Sequence, residues 1–381
     1  MTRPRGFYHG YVLPVSILSG TIIGAGIFSL PFIFQRAGFF LGFIFLLLAT
    51  VAYILLYLMY ADVIIATPGH HDFVGYADRY GGTFLYWVSI FIAVVQMIFV
   101  LTAYLVLAGS FFILIGIGES STFNAVLFWM VGSVLFFINL RRIAFIELII
   151  TSAIIAIIAL LFILGIQRSA PISFFGAPRS FSFFPLAPIL FSLAGRTAIR
   201  SVVDYLNPRK GTRFVSHIRR VIVFGTLVPA FVNLVFVIGV LSLTPIITDD
   251  AVRGLIGFIP ESILIAVGFL GVFSLLSSYG VIGINIGDIL RYDLRLPLFM
   301  RISIVLGGPL VLYFLGFKNF LVLVSFIGGV FLALEAFVIM YLWFKARSKT
   351  NTIFPYRKGV AVGFIFLIFS IAFIAELSVL F

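Results

Sequence analysis

Cysteine is absent from this 381-residue chain, which excludes disulfides, thiolate metal sites and cysteine nucleophiles. Charge is scarce as well: 10% of the residues are charged, and only 13 of them are acidic. No low-complexity tract and no long hydrophilic stretch interrupts the chain, so a separate soluble domain has no room. A cleavable leader is not expected, because the apolar segment after the basic first ten residues is too long and lacks a small-residue cleavage site. The adjacent His70 and His71 cannot share one helical face, so they read as part of a solvated loop and not as a metal pair.

What fills the space is hydrocarbon. Hydrophobic residues make up 62% of the chain, far beyond a soluble globular domain. Runs of about 20 apolar residues, enough to cross roughly 30 Å of lipid, recur from end to end. Eleven spans are expected, at 11–34, 38–65, 83–114, 122–139, 143–166, 186–206, 221–243, 261–287, 298–316, 320–344 and 359–380. The fold class is therefore an all-α polytopic membrane protein, with residues 1–381 forming one membrane domain. The net charge of +12 sits in short loops, which argues against a nucleic-acid partner. With the N-terminus in the cytoplasm, 18 of the 25 Lys and Arg fall on the inner side. An odd span number then puts the C-terminus outside a plasma membrane.

Two spans are built to come apart. The first carries Gly20-Thr21-Ile22-Ile23-Gly24-Ala25-Gly26-Ile27-Phe28-Ser29-Leu30-Pro31, and glycine costs about 1 kcal/mol relative to alanine inside a helix. The sixth carries Phe191-Ser192-Leu193-Ala194-Gly195-Arg196, with Pro185 and Pro188 upstream. In lipid a broken helix is tolerated only where it lines a cavity or is buried in protein. Two breaks five spans apart are the signature of inverted repeats around a midplane site. The expected halves are 11–166 and 186–344, with an extra helix at 359–380.

The stretch Ser19 to Pro31 resembles the first span of the amino acid–polyamine–organocation superfamily, closest to its hydroxy and aromatic amino acid permeases and the amino acid/auxin permeases. Residues Tyr205-Leu206-Asn207-Pro208-Arg209-Lys210 through Pro229, and Ser277-Ser278-Tyr279-Gly280-Val281 through Leu290, are similar to the same regions there. The resemblance implies the leucine-transporter-type fold and amino acid symport. It departs at Arg196, where relatives often carry small or hydroxyl residues, so a relative's substrate does not carry over.

A zwitterionic amino acid needs anion and cation partners. The N–H groups of Ala25, Gly26 and Ile27 would take its carboxylate, aided by the helix dipole. Carbonyls around Phe191, Ser192 and Ala194, with Thr21 and Ile22 opposite, would take its ammonium, and Gly24 and Gly195 supply the flexible backbone. The side chain would face Phe191, Gln96 and Tyr104. Ser274, Ser277 and Ser278 share one helical face and, with the carbonyls of Gly20 and Ile23, offer the oxygen ligands a hard cation prefers. That spacing resembles the second sodium site of the leucine-transporter fold, and span five lacks the lysine that stands there in some proton-coupled relatives.

Charges within spans are functional suspects. Arg200 and Asp204 are expected to pair at i, i+4, and Arg196 either meets substrate or neutralises Glu335, itself the main candidate for a titrating proton carrier. Arg5 and Asp288 are candidates for a closing ion pair at the cytoplasmic mouth. The reading that results is an ion-coupled amino acid symporter using sodium or protons, with no cofactor and no obligatory protein partner beyond lipid. An uncoupled exchanger of the same fold stays open, because serines in a membrane helix also bond to their own carbonyls. A lipid-linked transferase is the remote alternative: the only adjacent acidic pair, Asp249-Asp250, lies in an outer loop.

Overall fold

Because lipid offers no hydrogen bonds, each apolar run must satisfy its own backbone, and helices are what forms. The computed structural model describes residues 8–69, 71–118, 120–136, 140–168, 185–206, 214–346, 353–354 and 358–380. Among them there is no β-strand. The helices are α1 (Leu13–Ile22), α2 (Leu30–Ala37), α3 (Phe39–Ala66), α4 (Phe73–Leu114), α5 (Ser121–Leu135), α6 (Leu140–Arg168) and α7 (Leu186–Ser192). They continue with α8 (Arg196–Leu206), α9 (Phe214–Leu243), α10 (Glu261–Tyr292), α11 (Leu298–Phe314), α12 (Phe320–Phe326), α13 (Leu332–Ala346) and α14 (Lys358–Leu380).

Each of the eleven expected spans coincides with a helix or a broken pair. Among the described residues, eight helices and one bent pair are long and apolar enough to cross the bilayer. The two short ones, α5 and α11, have 15 and 17 residues. At 1.5 Å per residue they fall short of about 30 Å of hydrocarbon unless the bilayer thins or flanking residues extend them. Proline at the first turn starts α1 and α2, and the Ser120 and Asn319 side chains cap α5 and α12 by accepting from Phe123 N–H and Val322 N–H.

Two local features go beyond the sequence reading. The segment 73–81, in the stretch that connects spans two and three, is helical and runs into span three through Gly82, whose φ of 65° no β-carbon favours. Span ten is not one regular helix: a π-helical turn, Ile327–Phe331, joins α12 to α13. Gly328 and Gly329 lie in that turn, and a β-carbon on Gly328 would strike the Ala187 carbonyl of α7. The close approach of α7 is what the wide turn accommodates.

Candidate binding site at the two helix breaks

Span one breaks as its glycines suggest. The last hydrogen bond of α1 runs from Ile23 N–H to the Ser19 carbonyl at 2.9 Å. The carbonyls of Gly20, Thr21, Ile22 and Ile23 therefore lie past the end of the ladder. Gly24 is extended, a 3₁₀ turn covers Ala25–Ser29, and the two halves of the span bend by 51°. The N–H groups of Gly24, Ala25 and Gly26 have no acceptor among the described residues. Ile27 differs: its N–H bonds to the Gly24 carbonyl at 3.4 Å, and its side chain is buried away from the cavity. It is removed from the expected set of carboxylate donors.

Span six ends α7 at Ser192 and resumes at Arg196. Its freed groups are largely spoken for. Leu193 N–H and Ala194 N–H return to Leu190 and Phe191 carbonyls, and Asn233 of α9 donates to the Ser192 hydroxyl at 3.2 Å. The Ser192 hydroxyl donates to the Ile189 carbonyl at 2.8 Å, the Ser192 carbonyl accepts from Asn233 at 3.5 Å, and Ser192 does not line the cavity. Tyr57 of α3 holds the break open: its hydroxyl accepts from Gly195 N–H and donates to the Leu193 carbonyl at 2.8 Å. Sequence reasoning missed Tyr57 and Asn233, whose partners lie 138 and 41 residues away.

The two breaks touch through backbone. A β-carbon on Gly26 would lie 2.7 Å from Ser192 Cα, and one on Gly195 would lie 2.4 Å from Ile22 Cγ1. Only glycine permits this approach. Between the breaks lies a cavity of about 180 Å³, roughly ten times the space that one water needs. Of the expected substrate residues, Thr21, Ile22, Gly24, Ala25, Gly26, Gln96, Phe191, Ala194, Gly195 and Arg196 line it, as does Tyr104. Ser278, Thr197, Asn285 and Glu335 add polar groups to its wall, and Met97, Val100, Val281, Ile282 and Leu332 complete it.

Among the described residues, Arg196 and Glu335 are the only formally charged ones in that wall. They form an ion pair, Nε to Oε1 at 2.9 Å, with side chains only 11% and 6% exposed. The Arg196 guanidinium also lies 4.3 Å over the Phe73 ring. One turn on, Arg200 pairs with Asp204 at 2.8 Å and donates to the His71 carbonyl and the Tyr76 hydroxyl. This ties α8 to the start of α4.

On α10, Ser278 lines the cavity, Ser274 is half-buried, and the Ser277 hydroxyl is buried with no hydrogen-bond partner among the described residues. Gly20 and Ile23 supply free carbonyls at the end of α1. Asp288 is exposed near the end of α10, while Arg5 lies outside the described residues.

The cavity reaches water at one end. Thr21 and Thr197 are exposed, and Asn285 lies past the breaks toward the end that holds the start of α1. There Tyr205 donates to the His9 carbonyl, and His217 bonds the Gly10 carbonyl at 2.7 Å. The opposite end is closed. Phe28 packs edge-on against Phe111 and Phe236, and the loop 244–260 is fastened over it by Asp250. That carboxylate accepts from Ser110, Thr248, Val252 N–H and Arg253 N–H. Burial opposes its ionisation, but the Ser110 and Thr248 hydrogen bonds and the Arg253 charge outweigh burial and hold Asp250 below the usual carboxylate range. Its neighbour Asp249 is pushed up by burial and by the Asp250 charge.

A family model described as the tryptophan/tyrosine permease family matches residues 9–379. Among curated proteins, none matches the sequence significantly. Several solved transporters share the fold. The nucleobase-cation-symport-1 family transporter Mhp1, closed on bromovinylhydantoin, superposes with a TM-score of 0.64 at 12% identity, over 96% of this chain and 90% of its own. The Eremococcus coleocola manganese transporter gives 0.64 at 14% identity, over 98% and 89%. MhsT in complex with L-phenylalanine gives 0.60 at 14%, over 97% and 98%.

Proposed function

The chain belongs to the tryptophan/tyrosine permease family and is a secondary transporter of the leucine-transporter fold, not an enzyme; we propose that it carries a neutral amino acid by ion-coupled symport. The fold alone does not choose a substrate, since its neighbours include a manganese transporter and a hydantoin-binding one. The observation that carries the proposal is the pairing of main-chain groups at the breaks. Unsatisfied N–H groups of Gly24, Ala25 and Gly26 and open carbonyls of Gly20 to Ile23 share a cavity that suits a carboxylate beside an ammonium. The family's description and the phenylalanine bound to MhsT point the same way.

The coupling ion in this reading is sodium, held by Ser277, Ser278 and the carbonyls of Ser274, Gly20 and Ile23. The unpartnered Ser277 hydroxyl supports it, because a buried hydroxyl without a partner is unfavourable unless something occupies the site. With the N-terminus inside the cell, the open end faces the cytoplasm, so the conformation is inward-facing. Transport then proceeds by rocking of spans one and six against the rest.

Uptake of a panel of radiolabelled amino acids into proteoliposomes under an imposed sodium or proton gradient tests this. Sodium-driven accumulation of a neutral amino acid is expected, reduced at least tenfold by Ser277→Ala/Ser278→Ala, whereas exchange that is unchanged in that variant and needs no sodium would favour an uncoupled exchanger. Accumulation driven by protons alone would remove sodium, and no accumulation under either gradient would remove symport.

A further inference from the structure

Among the described residues, the cavity wall contains two formal charges, and they cancel. We propose that the Arg196–Glu335 pair is the charge filter of the binding site, admitting amino acids with uncharged side chains and rejecting both anionic and cationic ones. The inference rests on the amino acid reading above and specifies its substrate class.

The placement supports it. Arg196 is the first residue of α8 after the break, and Glu335 lies in the first turn of α13 after the π-helical turn. Both line the same cavity as Gly24, Ala25 and Gly26, which have main-chain groups for the substrate's own carboxylate. The charged side chains are thus surplus to recognition of the zwitterion and face what extends from it. Neither can turn away easily. The guanidinium lies 4.3 Å over the Phe73 ring, and both side chains of the pair are largely buried.

A glutamate side chain entering the cavity would compete for Arg196 and leave Glu335 buried without its cation. A lysine side chain would do the reverse. Removing one partner from a buried ion pair is strongly unfavourable, whereas an amide, hydroxyl, aromatic or aliphatic side chain leaves the pair intact. Specificity here comes from an element that penalises the wrong ligand.

The test is competition binding with L-phenylalanine, L-glutamine, L-glutamate and L-lysine, on the intact chain and on Glu335→Gln, Arg196→Gln and the double variant. The wild-type chain is expected to bind at least one neutral amino acid about tenfold or more tightly than glutamate or lysine. Glu335→Gln frees a guanidinium, and glutamate should gain about tenfold relative to the neutral ligand. Arg196→Gln frees a carboxylate, and lysine should gain instead. The double variant is neutral again and should return to the wild-type order. Either single variant suffices if the other does not fold, and competition in native membrane vesicles avoids losses in detergent. An unchanged ranking in a folded single variant would overturn the filter, as would wild-type binding of glutamate or lysine equal to that of neutral ligands. Absence of binding by any amino acid would instead overturn the transport reading on which the filter rests.

Discussion

Tyr57 shows how much of the site hangs on single hydrogen bonds. Its hydroxyl serves both sides of the span-six break, taking the Gly195 N–H and filling the Leu193 carbonyl. Tyr57→Phe leaves that buried N–H without a partner, which costs about 1–3 kcal/mol. The expected outcome is a lower melting temperature together with weaker substrate binding, and a variant that melts and binds like wild type would show that water replaces the hydroxyl. The residues of the first break were legible in the sequence because glycines at 20, 24 and 26 weaken the middle of a lipid-spanning helix. Tyr57 and Asn233 were not: a tyrosine and an asparagine in apolar spans declare nothing until a partner from another span is placed beside them. Ile27 and Ser192 were misread for the opposite reason, since proximity in sequence to a break does not fix which groups keep their own hydrogen bonds.

Among the elements, the loop 244–260 is the clearest case of a segment held by one side chain. Asp250 gathers Thr248, the N–H groups of Val252 and Arg253, and Ser110 at the end of α4. Asp250→Asn weakens charge-assisted bonds worth about 1.5–3 kcal/mol, or a roughly tenfold to hundredfold rise in loop opening. In a chain without cysteine, a single Val252→Cys reports that opening cleanly, because Val252 is 1% exposed when the loop is closed. Maleimide labelling should accelerate accordingly in Asp250→Asn. The sign with pH follows from the depressed carboxyl. Its stabilisation is fully present above the ordinary carboxylate value of about 3.9 and is lost as pH falls through its lower folded value. Asp250→Asn should lack that part of the acid-induced decline. Hydropathy located the spans, but it carried no mark of the π-helical turn at Ile327–Phe331, which is set by the approach of α7 and not by any local preference.

For the molecule as a whole, the recurring apolar runs predicted an all-helical polytopic membrane protein, and the order of helices in the structure agrees with it. The side to which the cavity opens was not legible, because it depends on packing at both ends: Phe28, Phe111 and Phe236 at one, exposed Thr21 and Thr197 at the other. If the cavity is the transport path and the N-terminus lies inside the cell as proposed, a single Thr197→Cys should react with a membrane-impermeant thiol reagent from the cytoplasmic side only, and substrate that shifts the chain outward should slow the reaction severalfold. Equal labelling from both sides would contradict alternating access. The most direct test of the site itself is equilibrium binding of radiolabelled amino acids to the purified chain and to Gly26→Ala. The added methyl meets Ser192 Cα at 2.7 Å, and overpacking of this kind costs about 1–3 kcal/mol. Saturable binding of a neutral amino acid by the wild-type chain, weakened about tenfold or more in a folded Gly26→Ala, is the predicted result; equal affinity in the two would contradict a site built from the facing breaks.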